Sequence, residues 1–138
     1  MDKALNYLAL ARKGGLCELG EEPVGDITRA LKGHLVLVAA DASDHTWRRA
    51  KSYVAGTDQQ VVRVRFNKEE LGMAVGRQSL AIAAITDPAL ALALVNALGE
   101  PEKYKAVAET LEEKTAKAKK RQAEAKAHQK NVRMGKKK

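Results

Sequence analysis

The segment His34-Leu35-Val36-Leu37-Val38-Ala39 is a nearly continuous apolar run. Such a short run is typical of a strand that is buried on both faces of a sheet. A strand of this kind needs helices packed on each face to exclude water. The segment therefore predicts an α/β core with this strand in a central position.

Other short apolar segments alternate with helix-like segments along the chain. The other predicted strands are residues 16–19, 61–64 and 79–86. Asn67 and Glu70, which precede one of the helices, have the spacing of a capping box. The predicted order is α-β-α-β-α-β-α-β-α, which indicates an α/β fold, a three-layer α/β/α sandwich with a four-stranded mixed sheet.

The second helix is predicted to start late. Residues 20–23, Gly-Glu-Glu-Pro, contain the two residue types that most often interrupt regular structure. Asp26 follows them and has a side chain suited to capping a helix. We therefore expect a short helix from Asp26 through Leu31, closed by Gly33.

The net charge of +8 is confined to one end of the chain. Residues 1–100 carry twelve basic and twelve acidic side chains, whereas residues 101–138 carry thirteen basic and five acidic ones. Large apolar residues thin out from Pro101 onward, and alanine, lysine and glutamate favour helix. We expect a domain at 1–100, followed at 101–138 by a Lys/Ala-rich C-terminal basic tail that is helical or disordered.

The sequence contains no convergent set of catalytic groups. Its three histidines lack partners at metal-ligand spacing, its single cysteine, Cys17, has no second thiol, and phosphate-loop and nucleophile-elbow motifs are missing. No secretory signal or long apolar stretch is present. We expect a cytoplasmic, monomeric protein that is not an enzyme and has no cofactor, no metal and no membrane partner.

The most specific motif is Glu70-Leu71-Gly72-Met73-Ala74-Val75-Gly76-Arg77, which lies between two predicted strands. With the helix around Asp26 and the strand at 35–39, it resembles the ribosomal protein L-seven-Ae superfamily, and in particular its small bacterial YlxQ-type branch. The resemblance covers residues 3–98. It implies a fold that binds kink-turn or similarly bent RNA, and it implies ribosomal RNA, the ribosome or translation factors as partners.

The resemblance also implies which residues contact RNA. The helix side is expected to comprise Gly25, Asp26 and Arg29, and the loop side Val75, Gly76, Arg77, Gln78 and Ser79. Kink-turn binders of this family carry Asn-Glu where this chain has Gly25-Asp26, and glycine cannot supply those side-chain hydrogen bonds. Arg29 retains the basic position.

The basic tail is expected to add affinity for phosphate. Its candidate RNA-binding residues are Lys117, Lys119, Lys120 and Arg121, with three further lysines at 136–138. Two alternatives to RNA binding stay open. One is a protein-interaction or assembly factor of the translation machinery with a decayed RNA surface, and the other is an RNA-modifying enzyme.

Overall fold

The computed structural model describes residues 1–136, with side chains through Ala127. The helices are α1 (Lys3–Lys13), α2 (Glu21–Arg29), α3 (Asp44–Val54), α4 (Lys68–Val75), α5 (Pro88–Ala97) and α6 (Lys105–Lys136). The strands are β1 (Cys17–Leu19), β2 (Leu35–Val38), β3 (Gln60–Arg63) and β4 (Ile82–Ile85). The predicted order of the first nine elements is confirmed. Lys137 and Lys138 lie outside the described residues.

The strands form one mixed sheet in the order β1-β4-β2-β3. β2 runs parallel to β3 and antiparallel to β4, and β1 is antiparallel to β4. Helices α2 and α3 pack on one face, while α1, α4 and α5 pack together on the other. The predicted three-layer sandwich and the interior position of β2 are confirmed.

The core follows from the strand composition. Every residue of β2 and β4 is buried, because both strands lie inside the sheet and helices cover both faces. The capping box at α4 is also confirmed, since Asn67 Oδ1 accepts a hydrogen bond from the Glu70 N–H and the Glu70 carboxylate accepts one from the Asn67 N–H. This box fixes where α4 begins.

The predicted start of α2 is wrong. The helix begins at Glu21 and ends at Arg29, with Gly20 as its N-cap, so Asp26 lies inside it. Pro23 is the third helical residue, where a backbone N–H would have no partner within the helix, and proline is therefore tolerated. The Gly-Glu-Glu-Pro segment starts the helix instead of breaking the chain.

The basic C-terminal segment begins as part of the folded core. Helix α6 packs on α5, and Tyr104, Leu111 and Thr115 are buried. Beyond Ala118, the side chains of residues 119–127 are all exposed. Buried side chains that pack on the body therefore continue to Thr115, well past residue 100.

Candidate nucleic-acid interface

The loop between α4 and β4 is an exposed segment that folds back along α4. Gly76, Arg77, Gln78 and Ser79 are exposed, whereas Val75 before them is buried and anchors the end of the helix. Gly76 adopts the left-handed conformation at φ 76°, which ends the helix and suits glycine. The loop thus presents three consecutive polar side chains on a firmly attached backbone.

Gly72 makes this arrangement possible. The Arg77 N–H donates to the Gly72 carbonyl at 2.8 Å, and the Leu80 N–H donates to the Lys68 carbonyl at 2.9 Å. A Cβ atom at position 72 would lie 2.7 Å from the Arg77 carbonyl oxygen and 2.8 Å from the Ser79 nitrogen. Only glycine lets the loop backbone approach α4 so closely.

The side chains of Arg77, Gln78 and Ser79 are available for a ligand. Within residues 1–127, none of them takes part in a hydrogen bond or an ion pair with another protein group. An arginine and an amide side chain can together bind a phosphate or a base edge. The loop therefore offers a guanidinium and an amide side chain for contact with RNA.

The amino end of α2 lies beside the same loop. The Gly20 N–H donates to the Ile82 carbonyl at 3.0 Å, and Ile82 follows Ser79 by only three residues. The first N–H groups of a helix have no partner within the helix. The structure therefore brings the loop close to the start of α2, which is at Glu21 and not at Asp26.

The three predicted helix-side residues have different surroundings. Gly25 is buried, and a Cβ atom there would lie 3.4 Å from Tyr53 Cζ. Asp26 and Arg29 are exposed and form an ion pair one helical turn apart. Arg29 lies about 13 Å along α2 from Gly20, at about 1.5 Å per residue, towards the opposite end of the sheet.

The surface beside the first turns of α2 is acidic. Glu18, Glu22 and Asp26 line one shallow groove with Pro23 and Ile27. Carboxylates repel phosphate, but they accept hydrogen bonds from exocyclic amino groups of bases and from ribose hydroxyls. An RNA bound here would have to present base edges or 2′-hydroxyls to α2 and keep its phosphates near Arg77.

The tail residues predicted to contact RNA lie elsewhere. Lys117 and Arg121 line a groove with His34, which directly precedes β2. Leu35 pairs with Ile85, whereas the loop enters the sheet at Ile82, which pairs with Val38. The structure therefore places these two side chains at the end of the sheet opposite to the loop, while Lys119 and Lys120 are exposed on α6.

A partly buried polar contact holds α6 near this groove. Lys114 Nζ lies 3.2 Å from His34 Nδ1 and 3.1 Å from Asp58 Oδ1. Burial, reinforced by the positive charge of Lys114, lowers the pKa of His34, while Asp58 and Asp87 act in the opposite direction. The neutral imidazole is therefore favoured as the partner of Lys114.

The side chains described, those of residues 1–127, contain no cluster of three metal-ligating groups. None of the described helices combines the length and apolar character needed to cross a membrane. Cys17 is half-buried, and burial raises the pKa of its thiol despite the nearby Arg12 and Arg77.

Sequence reasoning missed two features of the interface. It included Gly72 in the Glu70–Arg77 motif without predicting that the loop approaches this glycine closely, for which the four-residue spacing from Gly76 was the available signal. It also missed the acidic groove, because Glu18 and Glu22 lie on different elements. Only the pairing of β1 with β4 and the packing of α2 brings these carboxylates together.

Comparison with known proteins indicates the class of fold. No family model matches the chain, and no curated protein matches it. A protein of unknown function from Bacillus halodurans has a similar structure, with a TM-score of 0.67 and 25% identity over 72% of this chain and 100% of that one. A 15.5 kDa RNA-binding protein from Giardia lamblia has a TM-score of 0.55 and 21% identity over 76% of this chain and 87% of that one. The chain thus has an α/β fold that is also found in an RNA-binding protein.

Proposed function

We propose that this protein is a non-enzymatic RNA-binding protein that recognises structured RNA, of the kink-turn-like or ribosomal type. The observation that carries this proposal is the exposed Gly76–Ser79 loop, which is held against Gly72 beside the amino end of α2. The RNA-binding protein from Giardia with the same fold supports it. Membership of the L-seven-Ae superfamily and its YlxQ-type branch, and a cytoplasmic monomeric form, belong to the same proposal.

The two parts of the chain have different roles in this proposal. The α/β body supplies shape recognition through the loop and α2, because a fixed backbone can select a bent RNA. Helix α6 supplies affinity through Lys117, Lys119, Lys120 and Arg121, whose charges attract phosphate without reading sequence. Each phosphate that α6 neutralises should add about 0.7–0.9 to the logarithmic salt slope.

Titration with two RNAs tests this proposal. The full chain is titrated with a kink-turn RNA and with a plain duplex of equal length, at two salt concentrations. We expect preference for the bent RNA, and we expect Arg77→Ala to weaken that complex by about 1–3 kcal/mol. Lys32→Ala is the matched control, since Lys32 is an exposed cation outside the loop and α6.

The same titration can refute shape recognition. If the chain binds both RNAs equally and added salt abolishes both complexes, binding is a nonspecific effect of charge. If the Arg77→Ala variant retains full preference for the bent RNA, the loop is not part of the RNA interface. A double variant of Lys119 and Lys120 should lower the salt slope and leave the preference unchanged.

The second candidate is a protein-interaction or assembly factor of the translation machinery. Two observations favour it, namely the acidic groove beside α2 and the position of Gly25 beneath Tyr53. The carboxylates of the groove repel phosphate, and Gly25 has no side chain to offer to RNA. Cosedimentation with ribosomal particles discriminates the candidates, because an Arg29→Ala/Arg77→Ala variant that associates normally would favour protein contacts.

A further inference from the structure

Strand β3 leaves one edge of the sheet open. The Gln60 and Val64 N–H groups donate to the His34 and Val38 carbonyls of the neighbouring segment. Because backbone groups alternate in direction along a strand, those of Val61 and Arg63 point away from β2. Within the described part of the chain, the one partner on that side is the Tyr104 hydroxyl, which lies 3.4 Å from the Arg63 carbonyl.

This open edge forms the floor of a groove. Trp47 of α3 stands on one side, Tyr104 and Val107 stand on the other, and Val61 lies between them. The groove has a volume of about 430 Å³. Apolar walls on both sides of unpaired backbone groups are the arrangement by which an extended peptide can be added to a sheet.

The basic side chains that line the groove favour a negatively charged ligand. Arg63, Arg65 and Lys103 line it, and none of its lining residues is acidic. Arg65 forms an ion pair with Asp2, and Lys103 forms a long one of 3.9 Å with Glu100, whereas Arg63 has no carboxylate partner among the described residues. The guanidinium carbon of Arg63 lies 5.2 Å from the centre of the Trp47 ring, and one of its amino groups donates to the Ala42 carbonyl. Arg63 Nε is buried and has no hydrogen-bond partner among the described residues.

We propose that the β3 groove binds an extended, acidic peptide segment of a partner protein, which pairs with β3 as an additional strand. Its backbone pairs with the free N–H and carbonyl of Val61 and the free N–H of Arg63, and its carboxylates face Arg63 and Lys103. The unpaired strand edge favours a peptide over single-stranded nucleic acid, because a nucleic acid has no repeating pattern that matches a strand. This interaction is independent of RNA binding at the Gly76–Ser79 loop.

The test uses the fluorescence of Trp47, the only tryptophan of the chain. The full chain is titrated with a capped octapeptide of alternating valine and glutamate. We expect a saturable change in emission. A peptide of the same sequence with N-methyl groups on alternate residues should bind roughly tenfold or more weakly, because it cannot complete the backbone hydrogen bonds.

Variants of the chain locate the binding site. Val61→Pro removes one of the two outward N–H groups of β3, and Val61→Thr is the control that retains it. Lys103→Glu reverses a charge in the groove, and Lys32→Glu reverses one outside it. We expect roughly tenfold weaker binding for the proline and Lys103 variants and unchanged binding for both controls.

Each result either supports or overturns the proposal. If Val61→Pro does not fold, as judged by circular dichroism, the N-methylated peptide still tests strand pairing on the unaltered chain. Equal binding of the two peptides, or no binding of either, would overturn the proposal. Preferential quenching of Trp47 by a single-stranded oligouridylate would overturn it in favour of nucleic acid.

Discussion

Replacing Gly72 with alanine should destabilise the protein and displace its candidate RNA-binding loop. The added Cβ would lie 2.7 Å from the Arg77 carbonyl oxygen, 2.8 Å from the Ser79 nitrogen and 2.9 Å from the Gln78 carbonyl carbon. All three are backbone atoms, so no side-chain rotation can relieve the overlap. The loop or the helix must move.

The expected net effect combines two opposing contributions. Alanine is favoured over glycine inside a helix by up to about 1 kcal/mol. Overpacking of a tightly packed site costs about 1–3 kcal/mol. We therefore expect Gly72→Ala to lower the free energy of unfolding by about 0–2 kcal/mol, whereas the helix propensity of alanine alone would raise that free energy.

Urea unfolding together with amide hydrogen exchange measures both consequences. The Leu80 N–H, which donates to the Lys68 carbonyl, should exchange faster in Gly72→Ala than the global destabilisation accounts for. Ala74→Gly is the control, because it weakens the same helix without an overlap with the loop. If Gly72→Ala is as stable as the unaltered chain and protects Leu80 equally well, the close approach of the loop to Gly72 is refuted.

Three further predictions concern the rest of the fold. Leu111→Ala should cost about 2–5 kcal/mol in thermal or urea unfolding because Leu111 is fully buried, whereas Lys119→Ala should change stability little; equal effects would contradict the packing of α6 on the body. Because the pKa of His34 is lowered on folding, the unfolded chain binds a proton more readily, so stability should fall as the pH drops below about 6.5, and His34→Gln should flatten that dependence in urea titrations at several pH values. Because burial raises the pKa of the Cys17 thiol, iodoacetamide should alkylate the folded protein at pH 8 much more slowly than the urea-unfolded chain, as followed by mass spectrometry; equal rates would count against the burial of this thiol.

Local patterns were sufficient to predict most of the elements. The apolar run at 34–39 predicts a buried strand because a short segment without polar groups must have both faces covered. The capping box of Asn67 and Glu70 predicts the start of α4 because both hydrogen bonds are formed within four residues. The start of α2 was wrong because Pro23 is compatible with a first helical turn as well as with a break.

The arrangement of the surfaces was decided by tertiary structure. The sequence alone determined the alternation of strands and helices, the neutral charge of residues 1–100 and the polar Arg77-Gln78-Ser79 segment, because these depend on nearest neighbours along the chain. The strand order β1-β4-β2-β3 decided that the loop meets the start of α2 and that β3 has an open edge. These features depend on long-range strand pairing and helix packing, which bring together residues that no local pattern links.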